Sequence, residues 1–123
     1  MRCTLTRALS LHATHAYPPS AAHGHLYRIE VTVAGTLDPV TQTVMELGAL
    51  DLILSETIVT RLAGQRLNAV FAAGSAPALS PTCEAIASWC WESVANRLPP
   101  EIGLERVRVA EDETLWADCT GPT

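Results

Sequence analysis

Residues 23–33, His-Gly-His-Leu-Tyr-Arg-Ile-Glu-Val-Thr-Val, carry the clearest pattern in this chain of 123 residues. Side chains alternate between the two faces of a β-strand, so every second residue lies on the same face. The odd-numbered positions are all histidine, aromatic or aliphatic: His23, His25, Tyr27, Ile29, Val31 and Val33. The pattern predicts a strand whose buried row ends in two stacked imidazoles, which is half of a metal site.

A second alternating segment, residues 3–15, supplies a third histidine. His15 lies on its mostly apolar face, whereas His12 lies on the polar face. Three inward-facing histidines are typical of an open catalytic zinc site, in which water or substrate takes the fourth position. We therefore predict Zn²⁺ as the cofactor and His15, His23 and His25 as its ligands. The alternative is a set of buried histidines that only form hydrogen bonds.

The composition predicts one domain, residues 1–123, since 48% of the chain is hydrophobic and no low-complexity segment interrupts it. The net charge is −5 and the eight basic residues are scattered arginines, which argues against nucleic-acid binding. The absence of lysine excludes a lysine Schiff base. No stretch resembles a signal peptide or could span a membrane, so we predict a cytoplasmic protein with no membrane contact.

The four cysteines do not suggest a disulfide framework. Cys83 and Cys90 are seven residues apart on a predicted helix, which separates them by about 10 Å along its axis. No Cys-x-x-Cys motif is present. We expect all four cysteines to be small hydrophobic residues in the core.

The rest of the pattern predicts an α+β protein with the element order ββααββ. Alternation and helical periodicity define its parts: strands 3–15 and 25–35, a helix from Leu47 to Leu62, an irregular stretch 69–79, a helix from Ser80 to Leu98, and strands 104–111 and 114–119. A Pro-Pro loop, residues 16–22, joins the first two strands, and Ser80 is the predicted N-cap of the second helix. This order places two helices on one face of an antiparallel sheet.

Several short motifs occur in a fixed order along the chain. They are Leu11-His12-Ala13-Thr14-His15, His23-Gly24-His25-Leu26-Tyr27, Leu62-Ala63-Gly64-Gln65-Arg66-Leu67-Asn68, Pro81-Thr82-Cys83-Glu84, Val107-Arg108-Val109-Ala110-Glu111 and Trp116-Ala117-Asp118-Cys119. Together they resemble the F-x-A-x-H, HGH-x-Y, L-D-H-x-x-L-N, P-T-x-E, V-x-V-x-E and W-A-E-Y-like segments of the 6-pyruvoyl tetrahydropterin synthase / 6-carboxytetrahydropterin synthase family. The resemblance covers nearly the whole chain.

The resemblance implies the tunnelling fold, a four-stranded antiparallel sheet with two helices on one face. It implies zinc on His15, His23 and His25, and a small-molecule substrate whose pterin ring is anchored by Glu111. The start of the second helix, Thr82, Cys83 and Glu84, matches the family's P-T-x-E segment and is an implied substrate-binding element. Protomers of this family form trimeric barrels that commonly stack in pairs, so we expect a homo-oligomer, either trimer or hexamer.

The chain departs from the family in its proton carriers. The family's catalytic cysteine lies in the loop before HGH, and this loop contains no cysteine. The family's catalytic Asp-His pair falls on Ala63-Gly64. Candidate replacements are Tyr17, His12 and Glu111, followed by Asp112 and by Glu46, which is better explained as a helix-start carboxylate. Tyr27 is predicted to be a core residue with a satisfied hydroxyl.

Three functions are consistent with these residues. The first is a divergent zinc-dependent lyase or cyclase that acts on a small heteroaromatic or carbonyl substrate in a specialised biosynthetic pathway. The second is an orthodox 6-pyruvoyl or 6-carboxytetrahydropterin synthase with unusual proton carriers. The third is a non-catalytic zinc- or pterin-binding subunit. Loss of the usual relay favours the first, for which turnover of dihydroneopterin triphosphate would be absent or very weak.

Overall fold

A four-stranded antiparallel sheet forms one layer of the protein. The computed structural model describes residues 1–17, 21–74 and 80–123. The strands are β1 (Arg2–His15), β2 (His23–Thr36), β3 (Gly103–Ala110) and β4 (Trp116–Cys119), and they follow chain order across the sheet. This confirms the predicted α+β class and the predicted sheet. β1 and β3 each begin one residue earlier than predicted, β2 includes the His23–Gly24 start of the alternating pattern, and β4 begins two residues later than predicted.

The strand register brings the histidines to one end of the sheet. His15 pairs with His23, and Ala13 pairs with His25, at the last rungs of the β1–β2 ladder. On the other side of β2, Ile29 pairs with Val109. The β2–β3 ladder ends at the Arg28–Ala110 pair, so Glu111 follows directly at the same end of the sheet.

The first predicted helix is continuous but irregular. It consists of α1 (Leu47–Leu54), a π-helical turn (Ser55–Val59) and α2 (Thr60–Leu62). A π turn replaces the i→i+4 hydrogen bonds of an α-helix with i→i+5 bonds over a short stretch. The buried positions nevertheless keep a spacing of three or four residues through the turn, with Thr57 and Ile58 buried and Val59 half-buried.

Glu46 caps the start of α1. Its carboxylate accepts hydrogen bonds from the backbone N–H groups of Gly48 and Ala49, at 2.9 and 2.7 Å. It also borders a cavity of about 850 Å³ at the end of the sheet opposite to the histidines. The structure thus supports the helix-start explanation of this carboxylate.

Two sequence predictions about the helices were wrong. Residues 69–74 are not irregular, because α3 (Leu67–Gly74) covers them with Phe71 in the core; residues 75–79 lie outside the described residues. The second predicted helix, α4, spans only Cys83–Ala95. Its N-cap is Thr82 rather than Ser80, because the extended Thr82 backbone lets its hydroxyl accept from the N–H of Ala85.

The core lies between the sheet and the helices. The inner row of β2 and β3 is fully buried, and α4 packs its inner face against it: Ile29, Val31, Val33, Val107, Val109, Ile86, Ala87, Cys90 and Val94. Cys83 and Cys90 are buried as expected, whereas Cys3 and Cys119 are only half-buried; all four are free thiols. Within the described residues, no helix combines the length and hydropathy needed to cross a bilayer.

Candidate metal and substrate site

Three imidazoles converge at the end of the β1–β2 ladder. His15 Nε2 lies 3.1 Å from His23 Nε2 and 3.0 Å from His25 Nε2. The three rings meet edge to face, with centroids 4.6 to 5.0 Å apart. His15 is buried, His25 is half-buried and His23 is exposed, so the cluster opens outward at His23. The predicted ligands therefore lie together in the described part of the chain.

Backbone carbonyl groups orient two of these rings. His15 Nδ1 lies 3.1 Å from the Pro81 carbonyl oxygen, and His23 Nδ1 lies 3.2 Å from that of Ala21. A carbonyl oxygen only accepts hydrogen bonds, so Nδ1 carries the proton in each neutral ring. Both Nε2 atoms then present lone pairs to the centre of the cluster.

The donor arrangement fits a metal ion. Two Nε2 lone pairs that face each other at 3.1 Å repel unless a cation lies between them. Imidazole nitrogen is a preferred zinc ligand, and backbone hydrogen bonds at Nδ1 are the usual support for such ligands. His15, His23 and His25 would hold the ion and leave one position open.

Glu111 completes the polar end of the cluster. Its Oε2 lies 3.1 Å from His25 Nε2 and 3.6 Å from His15 Nε2, and its side chain is 13% exposed. The carboxylate accepts hydrogen bonds only, and it adds negative charge beside a site suited to a cation. The cluster thus combines three imidazole nitrogens with one carboxylate acceptor.

The Tyr17 hydroxyl supports His15. It donates to the Pro81 carbonyl oxygen at 3.0 Å, the same oxygen that accepts from His15 Nδ1, and the two rings are 4.6 Å apart. Partial burial and the nearby Glu111 carboxylate raise the pKa of Tyr17, so the phenol is neutral at neutral pH. Tyr17 therefore contacts His15 and shares its backbone acceptor; its role as a proton carrier remains a prediction.

His12 lies away from the cluster. Its side chain is exposed on the sheet face opposite to the helices, as its strand parity predicted. A cavity of about 470 Å³ borders both His12 and His25, and it reaches Gly64, whose φ of +72° follows the end of α2. A proton-transfer role for His12 remains a prediction that would require access through this cavity.

The start of α4 forms the wall next to Glu111. Thr82 is half-buried, Cys83 is buried and Glu84 is exposed. Burial and the Glu111 carboxylate raise the pKa of Cys83 to about 11, so its sulfur is a neutral thiol. The Asp112 carboxylate accepts hydrogen bonds from Thr114 and Leu115 in the turn before β4. These bonds lower the pKa of Asp112.

Tyr27 is the site residue that sequence reasoning misjudged. Its ring is buried as predicted, with its centroid 5.5 Å from that of His25 and 6.0 Å from that of His15. Its hydroxyl, however, has no hydrogen-bond partner among the described residues, which corrects the prediction of a satisfied hydroxyl. Strand parity identifies the face on which a tyrosine lies but not the atom that its hydroxyl reaches.

The fold and this cluster define an α+β protein with a histidine-carboxylate site at the end of an antiparallel sheet. Residues 4–122 match the family described as 6-pyruvoyl tetrahydropterin synthase, and the chain belongs to that family. This confirms the resemblance found in the sequence.

Two sequence relatives are named 6-pyruvoyl tetrahydrobiopterin synthase. The 6-pyruvoyl tetrahydrobiopterin synthase of Poecilia reticulata is 36% identical over 94 residues, which is 74% of this chain and 60% of that protein. The human protein of the same name is 34% identical over 91 residues, again 74% of this chain and 61% of the relative. The chain thus matches about 60% of the length of these relatives.

Solved structures share the fold along almost the whole chain. A 6-pyruvoyl tetrahydropterin synthase from Caenorhabditis elegans superposes with a TM-score of 0.85 at 20% identity, covering 99% of this chain and 97% of that one. The Plasmodium falciparum 6-pyruvoyl tetrahydropterin synthase gives 0.71 at 14% identity, with 96% of each chain covered. At these identities the likeness shows the fold.

Proposed function

We propose that this protein is a zinc-dependent pterin synthase of the lyase type. The observation that carries the proposal is the convergence of three Nε2 atoms beside the Glu111 carboxylate. The names of the sequence relatives favour the second function considered above, an orthodox pterin synthase, over a divergent enzyme of a specialised pathway. A cytoplasmic location and a single domain over residues 1–123 remain parts of the proposal.

In the proposed site, one group of residues would bind the zinc ion and another would bind the pterin ring. His15, His23 and His25 would hold zinc, which when bound would polarise a substrate oxygen and stabilise negative charge that develops there. Glu111 would accept hydrogen bonds from adjacent N–H groups of an aminopyrimidinone ring. Thr82, Cys83 and Glu84 would border that ring, since they begin the helix that packs beside Glu111.

The residues available for proton transfer in this chain differ from those of the family pattern. The family's cysteine and Asp-His pair have no counterparts at the matching positions, and Tyr17 already donates to a carbonyl oxygen. Glu111 and the neutral Cys83 thiol lie at the site itself, whereas His12 faces the other side of the sheet. Glu111 would be the proton carrier for a ligand that does not present adjacent N–H donors to it.

Turnover of 7,8-dihydroneopterin triphosphate should be measurable but slow. A misplaced or missing acid-base group typically costs about 10²- to 10⁴-fold in rate, so we expect a deficit of that order relative to a family member that has the usual residues. The measurement is substrate loss and product mass by liquid chromatography and mass spectrometry, with zinc-loaded and chelator-treated protein compared side by side.

Zinc-independent turnover would contradict the proposal. If the zinc-loaded protein shows no turnover, the divergent lyase or cyclase becomes the favoured function. If it shows neither turnover nor pterin binding, the non-catalytic subunit is favoured.

We also propose that the protein assembles as a trimer or hexamer. β1 and β4 are the two edges of the sheet, and three large apolar residues are exposed on β2, on β4 or just before β4: Leu26, Leu115 and Trp116. Open strand edges favour pairing with another copy, and closure of the sheets into a barrel removes them. Light scattering at micromolar concentration should give three or six times the chain mass, and a stable monomer would refute the assembly.

A further inference from the structure

The Tyr27 hydroxyl is a buried hydrogen-bond donor without an acceptor. Tyr27 is 1% exposed, and its hydroxyl and Arg106 Nε are the described buried side-chain polar atoms that lack a partner. Such atoms are rare in folded proteins and usually indicate a water, ion or ligand that completes them. A phenylalanine would fill the same core position without this cost, so the hydroxyl calls for an explanation.

This hydroxyl belongs to the same end of the sheet as the candidate site. Because Arg28 pairs with Ala110, Tyr27 and Glu111 are the next residues of the two neighbouring strands, on the face that carries the histidines. The Tyr27 ring contacts the rings of both His15 and His25. A tyrosine hydroxyl carries its proton at neutral pH and can donate it in a hydrogen bond.

Two neighbouring groups therefore offer opposite hydrogen-bonding character. Glu111 is an acceptor, whereas the neutral Tyr27 phenol can donate. A ligand that satisfies both presents an N–H group next to a carbonyl oxygen along one edge. This is the pattern of a heteroaromatic lactam.

We propose that Tyr27 is a specificity-determining residue whose hydroxyl donates to the ring carbonyl of a bound lactam while Glu111 accepts from the adjacent N–H groups. The inference rests on the proposed function and refines it, because it identifies which edge of the heterocycle is buried. It also predicts discrimination against rings in which an amino group replaces that carbonyl, since two donors would then face each other.

The test compares two ring compounds in two variants. Pterin carries the lactam, whereas 2,4-diaminopteridine carries an amino group in place of the carbonyl oxygen and a ring nitrogen without hydrogen in place of the lactam N–H. Dissociation constants for both are measured by calorimetry with the zinc-loaded wild-type protein, Tyr27→Phe and Tyr17→Phe. Tyr17→Phe is the matched control, because it also removes one phenolic hydroxyl beside His15 but one that donates to Pro81.

Tyr27→Phe should weaken pterin binding about tenfold, which is the scale of one lost hydrogen bond. Binding of diaminopteridine should be unchanged or stronger. Tyr17→Phe should change both ligands by the same factor. Metal analysis should give equal zinc in all three proteins, and ligand-free Tyr27→Phe should unfold at no lower temperature than the wild type.

Equal effects of Tyr27→Phe on both ligands, or no effect on either, would overturn the inference and indicate that a buried water satisfies the hydroxyl. A lower unfolding temperature of the ligand-free variant would overturn it as well, because the hydroxyl would then have a structural role. If the wild-type protein binds neither ring compound, the proposed function itself is overturned. Failure of the proposed function can thus be distinguished from failure of the Tyr27 inference.

Discussion

Replacing His23 with glutamine should lower zinc affinity by more than about 100-fold. Loss of a group that only orients a ligand already costs about 10- to 100-fold, and His23 Nε2 is itself one of three converging donors. His23 is exposed, so the change does not open a cavity in the core. Zinc content of the purified protein and competition with a chromogenic chelator measure the effect.

His12→Gln is the matched control for this experiment. It removes the same side chain from an exposed position on the neighbouring strand, but on the opposite face of the sheet. We expect its zinc content and affinity to equal those of the wild type. Equal zinc in the wild-type protein and in His23→Gln, or equal losses in both variants, would remove the metal assignment.

The Glu111→Gln variant should bind pterin more weakly by about 1.5–3 kcal/mol, which is the range for a hydrogen bond to a charged group. The amide keeps the shape of the side chain but replaces one acceptor oxygen with a donor. Zinc content should stay unchanged, because three imidazoles suffice to hold the ion. Calorimetric titration with pterin and metal analysis test both statements.

Glu113→Gln is the matched control, since that carboxylate is exposed two residues further along the chain. If Glu111→Gln lowers turnover more than binding, Glu111 acts chiefly as the proton carrier. Wild-type binding and turnover in Glu111→Gln would reduce Glu111 to a charge at the end of a strand. The substrate part of the site would then have to be abandoned.

Parity along two strands was sufficient to predict the three histidines as one cluster. A strand has only two faces, so the odd positions of residues 3–15 and 23–33 could be assigned to the core without coordinates. The antiparallel ladder then brought His15 opposite His23, at the same end of the sheet as Glu111. The polar outer position of His12 followed from the same rule.

Other features depend on details that periodicity does not contain. The π turn at Ser55–Val59 lies in a helix whose buried residues keep the regular three- or four-residue spacing, so periodicity does not predict it. The cap of α4 depends on the backbone angles of Thr82, since Ser80 has an equally suitable hydroxyl. Whether the Tyr27 hydroxyl has a hydrogen-bond partner depends on the atoms packed around it, so the sequence pattern could not predict that it lacks one among the described residues.

X-ray absorption at the zinc edge tests the central claim most directly. The purified wild-type protein should contain one zinc per chain, with three imidazole nitrogens at about 2.0–2.1 Å and one further light-atom ligand. A zinc-free protein that does not take up the ion would contradict the account. So would a sulfur ligand at about 2.3 Å, since it would place the metal on a cysteine rather than on His15, His23 and His25.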